Sequence, residues 1–231
     1  MPRFRPLSCP GLAGTLGCLA LAAPPLASQG VPVVGQVTIL DRQDRPADDV
    51  AQTVIWLTGT AAPAGTPATA DMATENKQFV PRLLVLTQGS TLAFPNHDPF
   101  SHNVFSLSPE ATFDLGLYGR GEAKSVTFTR PGVIRVYCNV HAQMRALVVV
   151  LESSLHTQAA SDGSFRFEDV APGDYVIHAW HERGGTEVSQ PLRVTGKAGT
   201  PVTLAIDARG YRFVQHRDKN GKSYSDRSRR Y

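Results

Sequence analysis

Residues 133–151 read VIRVYCNVHAQMRALVVVL, and the fold turns on how this stretch is divided. Val133, Arg135 and Tyr137 alternate with Ile134, Val136 and Cys138, which is the two-residue period of a strand. A second strand follows from Leu147 to Leu151. Between them a short loop carries Cys138, His141 and Met144 in the spacing C-x2-H-x2-M. A tight loop can turn three such side chains toward one point, whereas a continuous strand sends neighbouring side chains to opposite faces. Outward from this hairpin the texture stays the same. The chain has 17 Pro and 20 Gly and many short Val/Thr/Leu runs, and no stretch after the N-terminus keeps a helical apolar period for long. The expected class is all-β.

The three loop donors differ in a telling way. A thiolate, an imidazole and a thioether together favour a soft metal with two accessible oxidation states. Zinc would take more thiolates, or a carboxylate or water at an open position. A second imidazole would complete a trigonal His2Cys plane with a weak axial Met, the arrangement that holds copper. Residues 94–106, FPNHDPFSHNVFS, offer two candidates. His102 stands beside Asn103 and Val104 at the start of a strand, where a side chain is held rigidly. His97 stands in a turn with Asp98 and Pro99 and reads as an exposed loop histidine. His102 is the expected first ligand.

The first thirty residues place Arg3 and Arg5 ahead of an apolar run from Gly11 to Ala23, with small residues around Ala27 and Ser28. That is the layout of a secretory signal peptide, residues 1–28, cleaved near residue 28. The run is too short for a transmembrane anchor and Pro24-Pro25 ends it. A lipoprotein signal on Cys18 is the weaker rival, since the apolar run continues past it. Losing Cys9 and Cys18 with the signal leaves Cys138 as the one thiol of the mature chain. An unpaired thiol in an oxidising compartment needs a reason to exist, and a metal supplies one.

The chain resembles a plastocyanin-type cupredoxin, and most of all the amicyanin and pseudoazurin branch. The residues that carry the likeness are Asn96…His102-Asn103-Val104 and Cys138-x2-His141-x2-Met144, followed by Arg145 and the Val148–Val150 strand. Residues 76–96, NKQFVPRLLVLTQGSTLAFPN, resemble the strand pair that precedes the first ligand. The likeness covers about residues 68–153 and implies a Greek-key β-sandwich holding one type 1 copper at His102, Cys138, His141 and Met144. It also implies that Asn103 donates its backbone N–H to the Cys138 thiolate and that Asn96 ties the two ligand loops together. Departures are the titratable pair His97-Asp98 and the Asn139-Val140 spacer, where relatives commonly carry a proline; both bear on the potential.

Beyond the copper segment, residues 157–184 read TQAASDGSFRFEDVAPGDYVIHAWHERG. Turns at Asp162-Gly163 and Pro172-Gly173 separate the strands Phe165–Phe167 and Tyr175–Trp180, and Leu192–Val194 and Val202–Ile206 add two more. The D-G-x-F-x-F…P-G-x-Y pattern resembles a carboxypeptidase regulatory-like, transthyretin-like sandwich. Some fifty residues make a poor core alone, and that family opens with a strand like the one at Gly35 to Leu57. The expectation is a second, smaller sandwich made of residues 31–60 and 157–208, with the copper segment inserted through an Ala/Pro/Gly/Thr linker at Thr58 to Thr69. The dull alternative has Val31 to Leu57 extending the copper segment. His178 and His181 invite a second metal, but an odd offset on a strand sends them to opposite faces. Eight Lys/Arg against Asp218 and Asp226 make residues 209–231 a basic tail, expected to be disordered, on a body that is net acidic although the whole chain is +3.

The expected function is single-electron transfer between periplasmic or secreted redox partners, a dehydrogenase or cytochrome on either side. No enzyme activity, nucleic acid or membrane span is expected, and the protein is expected to be monomeric. A saturated His2Cys-Met sphere leaves no open position for substrate. Two other classes compete. One is a copper enzyme, which would need a further convergent His cluster. The other is a copper-stabilised module that binds glycan or protein, or a copper buffer.

Overall fold

A computed structural model describes residues 30–42, 47–197, 199 and 201–224. The signal segment 1–28 and the last residues of the tail lie outside the described residues. The chain opens with β1 (Val31–Leu40) and β2 (Val54–Thr58). The middle of the chain then runs through β3 (Thr69–Asp71), β4 (Ala73–Glu75), β5 (Gln78–Val80), β6 (Leu83–Thr87) and β7 (Thr91–Pro95). It continues with β8 (His102–Ser108), β9 (Ala111–Tyr118), β10 (Ala123–Thr127), β11 (Gly132–Cys138) and β12 (Arg145–Leu151). Last come β13 (His156–Gln158), β14 (Ser164–Val170), β15 (Gly173–Trp180), β16 (Val188–Val194) and β17 (Val202–Asp207). The fold is all-β; among the described residues the helical element is one 3-10 turn, Val50–Gln52.

The sheets divide the strands by position in the chain. Strand β1 lies between β14, antiparallel, and β17, parallel, while β2 lies between β13 and β15, with β16 outside. These two sheets enclose a core that includes Val37, Ile55, Leu57, Phe165, Ile177 and Ile206. The middle strands form their own sheets, a five-stranded β6-β12-β11-β8-β9 and a three-stranded β10-β7-β3, with β4-β5 as a separate ribbon. Their core holds Phe94, Phe128, Ile134 and Val148, and also Cys138 and Met144. The chain enters and leaves this unit at one place. Gly65 N–H donates to Glu152 O at 2.8 Å and Ser154 N–H to Pro63 O at 3.1 Å, beside an Ala64↔Ser153 bridge.

Strand β12 reads RALVVVL rather than alternating because both its faces are covered. Ala146, Val148 and Val150 point into the core of the middle unit. Leu147, Val149 and Leu151 pack with Leu83 against Val54, Trp56 and Trp180 of the outer sheet. The two sandwiches are therefore joined through an apolar seam, which Arg82 and Arg145 flank by pairing with Glu182 across it.

Residues 209–224 differ from the expected disordered tail. They have neither helix nor strand, yet they lie against the middle unit with defined partners. His216 stacks on Tyr137 at 4.3 Å between centroids, Tyr224 OH donates to Cys138 O at 2.6 Å, and Lys219 N–H donates to Asn139 Oδ1 at 2.9 Å. Arg145 sits over the Phe213 ring at 4.3 Å. The charge count suggested disorder; the aromatic residues spaced among those charges supply the packing that charge alone lacks.

Candidate metal centre

Strands β8 and β11 build the site. They pair at Tyr137↔Phe105 and Cys138↔Val104, which brings the start of one strand and the end of the other side by side. The loop after β11 is tightened by its own backbone: Cys138 N–H donates to Met144 O at 3.2 Å and Met144 N–H to His141 O at 3.1 Å. This short turn aims Cys138 and His141 at the side chain of His102. All three are buried, at 0–2 % exposed, and Met144 is buried beside them at 1 %.

The donor atoms converge. Cys138 Sγ lies 3.6 Å from His102 Nδ1 and 3.8 Å from His141 Nδ1, and the two Nδ1 atoms are 3.2 Å apart. The circumradius of that triangle, the product of its sides over four times its area, is ~2.1 Å, close to the ~2.0–2.3 Å that first-row metals keep to imidazole and thiolate. One ion therefore fits between the three donors without their moving apart. Among the described residues this is the one such cluster of His, Cys, Asp and Glu.

Protonation favours the same use. Burial holds both imidazoles below their ordinary pKa, His141 at about 4 with His102 and Lys77 adding to the effect, so both nitrogens are free to donate at neutral pH. Burial raises the Cys138 thiol, opposed by the backbone N–H groups of Asn103, Val140 and His141 that point at the sulfur. A metal ion must displace that proton, and the three N–H groups then stabilise the thiolate.

The surroundings sort the expected residues. His102 is fully buried and its Nε2 donates to Asp98 Oδ2 at 2.8 Å, which leaves Nδ1 as the lone-pair nitrogen facing the cavity. His97 is exposed and takes part only through its backbone N–H, donated to Thr74 O. Asn103 does present its backbone N–H to the Cys138 sulfur, and its carbonyl accepts from Asn139 N–H at 3.2 Å. Asn96 has a different role from the one the resemblance implied. Its side chain accepts from Thr74 Oγ1 and Asp98 N–H and donates to the carbonyls of Phe100 and Tyr118. It braces the first ligand's loop against β4 and β9; the tie between the two ligand loops is the Asn139–Asn103 bond.

Sequence reasoning noted Asp98 as the titratable neighbour of His97 and missed its hold on His102. Asp98 is 5 % exposed and also accepts from the N–H groups of Asn76 and Lys77, two consecutive residues at positive φ. The signal available was its i,i+4 offset from His102, which means little in a non-helical turn. Phe100 lies edge-on to His102 at 5.3 Å and tilted over His141 at 5.4 Å, closing the ring side of the site. His178 and His181 do not come together. His178 stacks on Trp56 and bonds Thr58, whereas His181 lies past the end of β15 and bonds the Asp49 carbonyl.

Residues 68–151 match the model of the family "Copper binding proteins, plastocyanin/azurin family". No curated protein matches the chain significantly. Similar solved structures include a purple cupredoxin from Nitrosopumilus maritimus, 23% identical, covering 36% of this chain and 99% of that one, with a TM-score of 0.32. A reduced amicyanin variant is 23% identical over 41% of this chain and 86% of that one, with a TM-score of 0.34. A copper-containing nitrite reductase from Thermus scotoductus is 24% identical over 50% of this chain and 28% of that one, with a TM-score of 0.36. The family match spans the segment that carries the donor triangle, and the donor set fits copper. The middle unit of this chain is a cupredoxin-like β-sandwich whose residues 68–151 match that copper-binding family, and the metal its donors fit is copper.

Proposed function

We propose that the protein is a type 1 copper electron carrier, with His102 Nδ1, His141 Nδ1 and Cys138 Sγ as the equatorial donors and Met144 as the weak axial one. The observation that carries this reading is the buried triangle of 3.2, 3.6 and 3.8 Å between those three atoms. Copper in such a set cycles between Cu(I) and Cu(II) with its sphere already filled. The chain's own contribution is rigidity. Asp98 fixes the His102 ring, the N–H groups of Asn103, Val140 and His141 hold the sulfur, and Phe100 shields both imidazoles. Donors held in this way move little when the oxidation state changes, which suits outer-sphere transfer better than substrate turnover.

The reading extends to the cell and to the rest of the chain. The N-terminal layout supports export to the periplasm or beyond, with a dehydrogenase or cytochrome as donor or acceptor and the protein acting as a monomer. The His141 edge is the proposed exit for the electron. Residues 31–60 and 157–208 make one regulatory-like sandwich interrupted by the copper domain, a reading supported by the pairing of β1 with β14 and β17. The test is the visible spectrum of the copper-loaded chain. An intense thiolate-to-Cu(II) band with reversible one-electron cycling is expected, and Cys138→Ala should abolish the band while circular dichroism stays unchanged. A colourless Cu(II) form of the unaltered chain would sink the assignment.

A further inference from the structure

The seam between the two sandwiches opens, under the tail, into a recess of about 170 Å³. Four guanidinium groups line it: Arg82 ahead of β6, Arg135 on β11, Arg145 at the start of β12 and Arg212 from the tail. One carboxylate, Glu182, faces them, and it is already shared between Arg82 and Arg145. Arg135 and Arg212 pair with no carboxylate among the described residues. The Tyr137 ring forms part of the wall. Burial raises its phenol pKa, with Arg135 and Arg145 opposing and Glu182 adding to the rise.

This is an unusual concentration of charge. The body of the chain is net acidic, so the three arginines it contributes, Arg82, Arg135 and Arg145, against one acid are not the local expression of a basic surface; the tail adds Arg212. Like charges crowded together repel, and Glu182 offsets only one of them. Guanidinium groups are the side chains best shaped to grip a planar or tetrahedral oxyanion with paired hydrogen bonds.

We propose that this recess binds a small free oxyanion, of the size and chemistry of phosphate or a small carboxylate, with Arg135 and Arg212 as its principal donors. Arg82 and Arg145 remain anchored on Glu182 and supply field rather than primary contact. The recess has walls from both sandwiches and from the tail, so it suits a compact anion better than the broad surface of an acidic protein. An anion held there stands against Tyr137, the residue before Cys138, and would favour Cu(II) over Cu(I). The binding itself does not depend on the electron-carrier reading.

The test is calorimetric titration of inorganic phosphate, and separately citrate, into the full chain at constant ionic strength. Saturable one-to-one binding is expected, weakened about a hundredfold or more in Arg135→Ala/Arg212→Ala, which loses two charge-assisted donors at once. Arg166→Ala/Arg193→Ala, on exposed strands elsewhere, should bind as the unaltered protein does. In copper-loaded protein, saturating phosphate should lower the reduction potential of the unaltered chain and leave that of the Arg135/Arg212 variant where it was. Absence of saturable heat at millimolar anion would overturn the site, as would equal binding in the two double variants. Either failure would leave the copper assignment standing, because the titration reads binding without reference to the metal.

Discussion

The two sandwiches of this chain are made from the same kinds of strand, yet their interiors differ in kind. The core around Val37, Ile55, Phe165 and Ile206 is built of aliphatic and aromatic side chains, and in that unit the buried polar side chains, Thr53 and His181 among them, do not gather into one cluster. The core around Phe94 and Val148 grades at one end into buried polar groups: His102, His141, Asn96, Asn103 and Asp98. Burying such groups costs free energy unless each finds a partner, and here, Asn103 Oδ1 excepted, the partners form a mesh with the donor triangle at its centre. The outer sandwich gathers no cluster of buried donors among the described residues, whereas the copper unit gives up part of its apolar burial to hold one. A scaffold and a site are separable in such a molecule, and that separation can be tested.

The largest effect should come from the first ligand. His102→Ala is expected to abolish tight copper binding and the charge-transfer band, while His97→Ala leaves both unchanged, as read in parallel copper titrations. The reverse result would move the first ligand to the exposed turn. On the other side of the comparison, Trp56→Ala should cost about 3–5 kcal/mol by leaving a void at the seam. The melting temperature should fall while the visible spectrum at room temperature keeps its position. A displaced copper band would show that the two interiors are not separable after all.

Asp98→Asn probes the mesh itself. It keeps the shape but removes the charge that orients His102, and copper affinity is expected to fall roughly 10–100-fold. Wild-type affinity in this variant would reduce Asp98 to a loop-forming residue. Met144 sets a smaller quantity, the potential. Met144→Leu should raise it and Met144→Gln lower it, because a thioether favours Cu(I) relative to an amide oxygen and less than no donor at all. Equal potentials across the three proteins by voltammetry would make Met144 core filling.

The weakest link is between the tail and the copper unit. Lys219 and Asn103 hold the Asp114 carboxyl at about 2, with burial opposing them. A lowered folded-state value means the tie is complete above the ordinary 3.8 and is lost as pH falls from there through about 2. Both groups are about a third or more exposed, so the effect on global stability should be small. Proton resonances of His216 followed over that range should report tail release, and Asp114→Asn should release it already at neutral pH. A tail signal flat with pH in both proteins would mean that the His216–Tyr137 stack holds it unaided.

What was legible in the sequence follows a physical rule. The C-x2-H-x2-M loop could be read because ligand chemistry, spacing and strand alternation are all local. The choice of His102 over His97 rested on the strand start that follows it, and burial separates the two in that sense. Asp98 could not be read, since its use depends on a turn that points the carboxylate inward and on β4-β5 backbone groups some twenty residues away. The packed tail was hidden for a related reason: Tyr211, Phe213, His216 and Tyr224 make no period among themselves and acquire meaning only against Tyr137, Arg145 and Arg183.

The pairing of β1 with β14 and β17 also has a consequence for how the molecule comes into being. As the chain emerges from its N-terminus, β1 and β2 appear first and then wait for their partners. About a hundred residues must follow before β13 to β17 arrive, roughly 5–20 s at the usual ~5–20 residues per second of synthesis. During that interval the middle unit, whose sheets are complete within residues 69–151, can close by itself with its two ends already adjacent. The order of assembly is then inside out. The metal-holding unit sets first, its finished β12 offers an apolar face to Val54 and Trp56, and the early strands are sheltered there until the late ones arrive.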